Sequence, residues 1–451
     1  MIHQYELNGH KICLDVHSGA VHLPDDLAYD LLPFTSENMT GHVSEDAEKA
    51  LAGKYSKNEI AETWAELYEL YSAGQLHSKD DYAPFADNMA KARVKSMCLN
   101  IAHDCNLACG YCFAGKGGFG GNRELMSKEV GKAAIDFLIK NSAGRHNLEV
   151  DFFGGEPLMN FDTVKYVVEY ARSLEKENGK KFRFTITTNG LLLNDDSIEF
   201  INKEMHNCVL STDGRREVND RLRVDWGGSG CYDRIIPKFQ KLVSGRGNKD
   251  YYARATFTKY NPDFAQDVIH LYRLGFKHIS EEPVVTDACE SYALTQDDLP
   301  GIFAEYEKLA DILIDMKADG EDINFFHFMI DLDQGPCAVR RLRGCSSGNE
   351  YIAVTPSGDI YPCHSFVGDE NFLMGSVLSG AFNLDIKERF AKTNIYSKEE
   401  CRNCWAKFYC SGGCHAINHQ QAGDMLRPFP MYCEMQKKRL ECAVMVKAAT
   451  S

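Results

Sequence analysis

Seventeen cysteines, ten of them in two closely spaced sets, constrain this chain more than any other feature. Cys105, Cys109 and Cys112 lie in CNLACGYC; Cys345, Cys363, Cys401, Cys404, Cys410, Cys414 and Cys433 form the second set. In a small secreted protein such a content reads as disulfides. Here the chain has 451 residues, and its opening MIHQYELNGHKIC lacks the apolar core of a secretory signal. The thiols are therefore expected to be reduced, cytoplasmic and engaged with a metal or cluster. A net charge of -15 argues against nucleic acid or anionic membrane as a partner. No apolar run approaches the roughly 20 residues of a membrane-spanning helix.

Three thiolates in one loop are a specific signal. Four would complete a zinc site or saturate a four-iron cluster, whereas three leave one iron with a vacant position, which implies chemistry there. The alternative is a structural zinc site completed by His103. Downstream, Gly154, Gly155, Glu156 and Pro157 form GGEP. Its glycines permit close backbone approach, and Glu156 can accept charge-assisted hydrogen bonds from an ammonium group. By itself the tetrapeptide also fits a tight turn with a surface glutamate.

The hydrophobic pattern sets these motifs in order. Residues 1 to about 85 show alternation at Tyr5 and Leu7, at Ile12, Leu14 and Val16, and at Val21 and Leu23 around a Ser18-Gly19 turn, which predicts short antiparallel strands. Ser56 and Glu59 have capping-box spacing ahead of a helical face of Ile60, Trp64, Leu67 and Tyr71 that stops at Gly74. From about residue 96 to 320, candidate strands at 97–101, 147–153, 182–188, 207–211, 251–258 and 277–284 alternate with helical stretches near 127–143, 162–177, 194–204, 232–244 and 262–273. A sixth helical stretch lies near 298–318. Six βα units with parallel strands predict an α/β partial barrel with its site at the strands' C-terminal ends. The cysteine triplet follows the first strand and GGEP the second. Residues 337–451 hold nine of the seventeen cysteines and few long periodic stretches, so clusters or metals are expected to supply folding free energy there.

With CxxxCxxC, Tyr111 before its last cysteine and GGEP on strand two, residues 96 to 320 resemble the radical S-adenosylmethionine (SAM) superfamily. The resemblance implies that Cys105, Cys109 and Cys112 hold a 4Fe-4S cluster whose open iron chelates SAM, and that reductive cleavage releases a 5′-deoxyadenosyl radical. It further implies Tyr111 near the adenine, Gly154, Gly155 and Glu156 at the methionine amine, Thr188 and Asn189 near the ribose, and Ser211 (in LSTDG) and Arg223 (in NDRLR) at the methionine carboxylate. A loop and helix cap for Thr188-Asn189-Gly190, and a surface salt bridge for Arg223, remain open as plainer roles.

The second set, C-x17-C followed by CxxC-x5-C-x3-C-x18-C, resembles the SPASM extension of peptide-modifying members of that superfamily. The resemblance implies two auxiliary 4Fe-4S clusters, one on Cys401, Cys404, Cys410 and Cys433, the other on Cys345, Cys363 and Cys414. Its last place falls to Cys337 or to a substrate thiolate. A treble-clef zinc site would use only four of the seven cysteines. Cys13, Cys98, Cys208, Cys231, Cys289 and Cys442 lack ligand spacing and are expected to be small buried hydrophobes. Arg340, Arg341 and Arg343 read as a solvated face or a contact for an acidic peptide. Gly117, Gly118, Gly120 and Gly121 lack the Lys-Ser/Thr of a phosphate loop and read as a flexible lid.

Residues 1–85 are similar to the winged-helix element that captures leader peptides by strand addition. The three segments together resemble the maturases of six-cysteines-in-forty-five-residues peptides. That resemblance implies thioether formation in a cysteine-rich precursor peptide with a leader, three 4Fe-4S clusters, SAM, and an electron donor such as ferredoxin or flavodoxin. Two alternatives compete with it. An anaerobic sulfatase maturase would have an Asp base directly after the cysteine matching Cys363, where this chain has His364. A non-catalytic zinc or ferredoxin-like scaffold would make no use of the GGEP rim.

Overall fold

Ser96–Ala102 is buried along its whole length, because it is hydrogen-bonded on both edges and covered on both faces. The computed structural model describes residues 1–88, 92–332 and 341–450. This strand, β4, lies inside an eleven-stranded sheet. The others are β5 (Asn147–Gly154), β6 (Lys181–Thr188), β7 (Asn207–Ser211), β8 (Asp250–Phe257), β9 (His278–Pro283), β10 (Asn324–Phe325), β11 (Tyr351–Val354), β12 (Asp359–Tyr361), β13 (Gly375–Ser376) and β14 (Ala381–Phe382). Their order is β10-β9-β8-β7-β6-β5-β4-β11-β12-β13-β14, with every neighbouring pair from β10 to β11 parallel.

β4 to β9 match the six candidate strands, and the helices Lys128–Asn141, Phe161–Asn178, Asp195–Glu204, Tyr232–Ser244, Phe264–Arg273 and Leu299–Ala318 match the six helical stretches. On β5 and β6 every second residue is buried, and Leu148, Val150, Phe152, Phe182, Phe184 and Ile186 enter the large apolar core with Val164, Val167 and Val168 of Phe161–Asn178. Sequence reading missed the short helix Arg216–Leu222 after β7. It also missed that the C-terminal segment joins the parallel sheet: β11 pairs with β4, and β12 to β14 continue as an antiparallel edge. Only tertiary pairing makes two- and three-residue strands stable, so periodicity could not find them.

The N-terminal segment folds as three antiparallel strands, β1 (Ile2–Leu7), β2 (His10–Asp15) and β3 (Val21–His22), ordered β1-β2-β3. Helix Lys57–Ser72 packs on them, with Ile60, Trp64 and Leu67 in a separate core. Ser56 and Glu59 form the reciprocal capping box. Asp80 ties this segment to the C-terminal part, receiving Lys407 Nζ at 2.8 Å and the Tyr396 hydroxyl at 2.7 Å. His3 stacks on Trp405 at 3.7 Å.

The arginine run does not form a solvated face. Arg343 is buried and donates to the Ala86 carbonyl at 2.8 Å, and Arg341 lies over the Tyr409 ring. Arg340 lies outside the described residues.

Asp151 gives a pH signature. It sits on β5 opposite Thr185, and burial pushes its pKa up to about 7 from an ordinary 3.8. Between those values the folded state keeps a proton that the unfolded chain has released, so this contribution to stability declines as pH rises toward 7. Asp151→Asn removes it: urea unfolding at pH 4 and pH 8 should show the variant gaining about 4 kcal/mol on the wild type across that interval. An unchanged difference would refute the assignment.

Candidate active site

The loop after β4 carries Cys105, Cys109 and Cys112 at the C-terminal end of the parallel strands. It is held from outside by a strand-like segment: Leu107 bridges Asp225, Ala108 N donates to Val224 O and Gly110 N to Leu222 O. The three thiols are partly buried and close enough to influence one another. Burial raises Cys105 to about 12, with Glu156 adding to the effect. Burial likewise raises Cys109 to about 12, against the pull of Arg223. Without a metal Cys105 and Cys109 stay protonated, and binding iron displaces their protons.

Cys105 Sγ already accepts Leu107 N at 3.4 Å and Asn189 Nδ2 at 3.6 Å, bonds that suit a metal thiolate. His103 turns away, its ring bonded to Asn100 Nδ2 at 3.3 Å and stacked on Phe119 at 4.7 Å. Among the described residues no three His, Cys, Asp or Glu side chains converge as a single metal ion requires. Three thiols carried on one loop are the donor set that an iron-sulfur cluster would use.

The glycines of GGEP are required by contact. A Cβ on Gly155 would lie 2.1 Å from the Asp104 carbonyl oxygen, and one on Gly154 would lie 2.3 Å from that of Ala102. β5 can therefore press against the cysteine loop only with glycine at these positions. Glu156 is completely buried and already bonded. Its Oε1 accepts Thr188 Oγ1 at 2.8 Å and Leu158 N at 3.1 Å, and its Oε2 accepts Asn189 N at 2.8 Å. One lone-pair position on Oε2 remains for a ligand donor. Burial raises the Glu156 pKa to about 7, a cost that a cationic partner would remove.

Thr188 and Asn189 serve this arrangement directly. Thr188 orients Glu156, and Asn189 joins it to the cysteine loop, its Nδ2 also meeting Asn106 Oδ1 at 2.8 Å. Arg223 is neither free nor on the surface: its Nε lies 3.0 Å from Asp213 Oδ2, and its guanidinium sits over the Tyr111 ring. The Tyr111 hydroxyl donates to the same carboxylate. Asp213 thus locks Tyr111 and Arg223 together, a role sequence reading missed although Asp213 stands two residues after Ser211. Ser211 ends β7 beside this unit. Of the four glycines in this turn Gly117 is tightly packed, since a Cβ on it would lie 2.7 Å from the Cys105 Cβ, whereas Gly120 has open space around it.

The seven C-terminal cysteines fall into two neighbourhoods. Burial raises the Cys401, Cys410 and Cys433 thiols, and Cys401 also feels Cys404, Cys410 and Cys433; burial raises Cys363, which also feels Cys345 and Cys414. Lys398, buried and donating to Gly412 O, lies where it feels Cys401, Cys410, Cys414 and Cys433 together. No motif announced it, because a buried lysine looks like any other in sequence. Cys337 lies outside the described residues. Of the six cysteines without ligand spacing, five are buried and Cys289 is exposed.

The two thiol-rich regions meet. The rings of Phe113, after Cys112, and His364, after Cys363, lie 5.4 Å apart, and both approach Phe153, just before GGEP. Polar His364 is therefore built into an aromatic contact that joins the triplet, the GGEP strand and the second set.

Residues 99–235 match the Radical SAM superfamily. Over 346 residues, 71% of this chain and 88% of the relative, the sequence is 25% identical to the cysteine-type anaerobic sulfatase-maturating enzyme of Clostridium novyi. Among solved structures, native anSMEcpe with bound AdoMet is 19% identical with a TM-score of 0.65, covering 79% of this chain and 99% of that one. Streptococcus suis SuiB bound to S-adenosylmethionine is 18% identical with a TM-score of 0.54, covering 94% and 97%. The two structures share the α/β fold with its parallel sheet.

Proposed function

We propose that this chain, which carries a radical SAM domain homologous to the anaerobic sulfatase maturases, installs intramolecular thioether links in a ribosomally made cysteine-rich peptide. On this reading Cys105, Cys109 and Cys112 hold the SAM-binding 4Fe-4S cluster. Cys401, Cys404, Cys410 and Cys433 hold a second cluster, and Cys345, Cys363 and Cys414 a third. When bound and reduced, the first cluster and SAM supply a 5′-deoxyadenosyl radical that abstracts hydrogen.

The protein's own residues prepare that event. Glu156, fixed by Thr188 and Asn189, accepts from the methionine ammonium, and the Tyr111-Asp213-Arg223 unit holds its geometry beside the cysteine loop. Phe113, Phe153 and His364 join the two thiol-rich regions through one aromatic contact. The observation that supports the proposal is the contact of those regions through Phe113, Phe153 and His364; a cluster on Cys345, Cys363 and Cys414, its last place filled by Cys337 or by a substrate thiolate, would lie on the His364 side of that contact.

For substrate capture, β3 is the edge of its sheet, open to strand addition, and faces a groove of about 530 Å³ lined by Val21, Leu23, Leu67 and Leu70. Leu23 is 56% exposed there. Leu23→Asp should weaken leader-peptide binding about tenfold in fluorescence anisotropy. Peptide-free formation of deoxyadenosine should be unchanged. Equal affinity in the variant would remove the groove from the proposal.

The decisive experiment is mass spectrometry of a cysteine-rich precursor coexpressed with the chain. It should lose the mass of two hydrogen atoms for each thioether, with the linked cysteines resistant to alkylation. Sequence relation to the C. novyi enzyme favours a second reading, oxidation of a cysteine to formylglycine. That product would instead react with a hydrazide, and an unmodified peptide would count against thioether formation. A colourless, zinc-containing protein would exclude both.

A further inference from the structure

Trp226 packs on the cysteine loop with half its surface exposed: the residue is 51% accessible, and its indole N–H donates to the Cys105 carbonyl at 2.9 Å. The backbone bridge between Leu107 and Asp225 holds it there. Two cations cover the ring, Arg123 at 4.4 Å and Lys116 at 5.6 Å from its centre. Asp104 pairs with Arg123 at 3.3 Å and Asp225 with Arg234 at 2.8 Å, so each pair cancels and Lys116 supplies the unpaired positive charge. Lys116 has no carboxylate partner among the described residues. An exposed tryptophan with arginine and lysine on its faces is the composition of a protein-binding hot spot. It is surprising on a chain with a net charge of -15, whose surface would otherwise repel an acidic protein.

We infer that Trp226, Lys116 and Arg123 form the docking surface for an acidic one-electron carrier protein that reduces the cluster on Cys105, Cys109 and Cys112. This rests on the radical SAM reading above. The carrier loses one electron to the cluster, no bond forms and no proton moves. Position supports this occupant over a peptide substrate, since the indole touches the backbone of a cluster-bearing cysteine from outside, while the contact between the two thiol-rich regions lies elsewhere, around Phe113 and His364. A small, charge-steered contact of this kind suits transient electron transfer.

The test uses the reconstituted holoenzyme with flavodoxin and, separately, with an acidic ferredoxin. In Lys116→Glu/Arg123→Glu the dissociation constant measured by calorimetry should rise about tenfold for whichever carrier is the partner. Carrier-driven deoxyadenosine formation should fall by a similar factor, while formation driven by dithionite, which needs no docking, is retained. Reversing two charges elsewhere, in Lys49→Glu/Lys57→Glu, should leave both unchanged. Unaltered binding of both carriers to Lys116→Glu/Arg123→Glu would overturn the proposal, as would equal weakening by the remote pair. If the dithionite-driven reaction falls in the Lys116→Glu/Arg123→Glu variant, the binding constant decides. If the wild type forms no deoxyadenosine with dithionite, the radical reading fails, and the binding comparison still reports on the surface.

Discussion

Cys109→Ala is expected to abolish reductive cleavage of SAM and to remove one cluster. Anaerobically prepared wild type should be brown with about twelve irons, and the variant should keep about eight. With dithionite and SAM, deoxyadenosine formation should fall at least about a thousandfold, to background. The size of the effect follows from how the loop is held. Ala108 N and Gly110 N are both bonded to the 222–224 segment, so the backbone on either side of Cys109 cannot slide to offer another ligand. His103, the nearest alternative in sequence, is committed to Asn100 and Phe119. Loss of one thiolate therefore leaves two, and the remaining seven cysteines should keep their iron. A variant with full iron and wild-type cleavage would show that Cys109 is no ligand.

Glu156→Gln should have the complementary result: full iron, but a loss of SAM affinity of about a hundredfold, near 2.7 kcal/mol. The carboxylate oxygens accept from Thr188, Leu158 N and Asn189 N. An amide has the same shape but donates from one end, so it either faces the Asn189 N–H donor to donor or turns that end toward the ligand's ammonium. It also lacks the charge that an ammonium would neutralise in this buried site. Equilibrium dialysis with labelled SAM measures the change directly. If affinity holds, Glu156 is a structural capping residue for Leu158 and the 188–190 turn, and the amine is bound elsewhere. If iron is lost as well, the effect runs through the cysteine loop, which Asn189 links to Glu156.

What was legible in the sequence was whatever depends on local spacing. CxxxCxxC lies within one loop, and GGEP ends one strand. The Ser56–Glu59 box begins one helix, and six strands and six helices declared themselves by periodicity, so each could be named without knowing its neighbours. Asp213 escaped because its importance lies in receiving both Tyr111 and Arg223. Tyr111 lies far back along the chain, on the loop after β4. Lys398 and Trp226 escaped for the same reason: their surroundings are assembled from distant segments.

By itself the sequence determined the α/β alternation, the position of the thiol triplet at the end of the first barrel strand and the glycines that let β5 approach it. Only tertiary structure decided that β11 pairs with β4, that Arg223 is spent on Asp213, and that Phe113 and His364 bring two cysteine-rich regions into contact. The physical reason is range. Periodicity, caps and close approach act over a few residues and leave a mark in the local pattern. Strand pairing in a mixed sheet and buried ion pairs instead depend on which distant surfaces the whole core brings together.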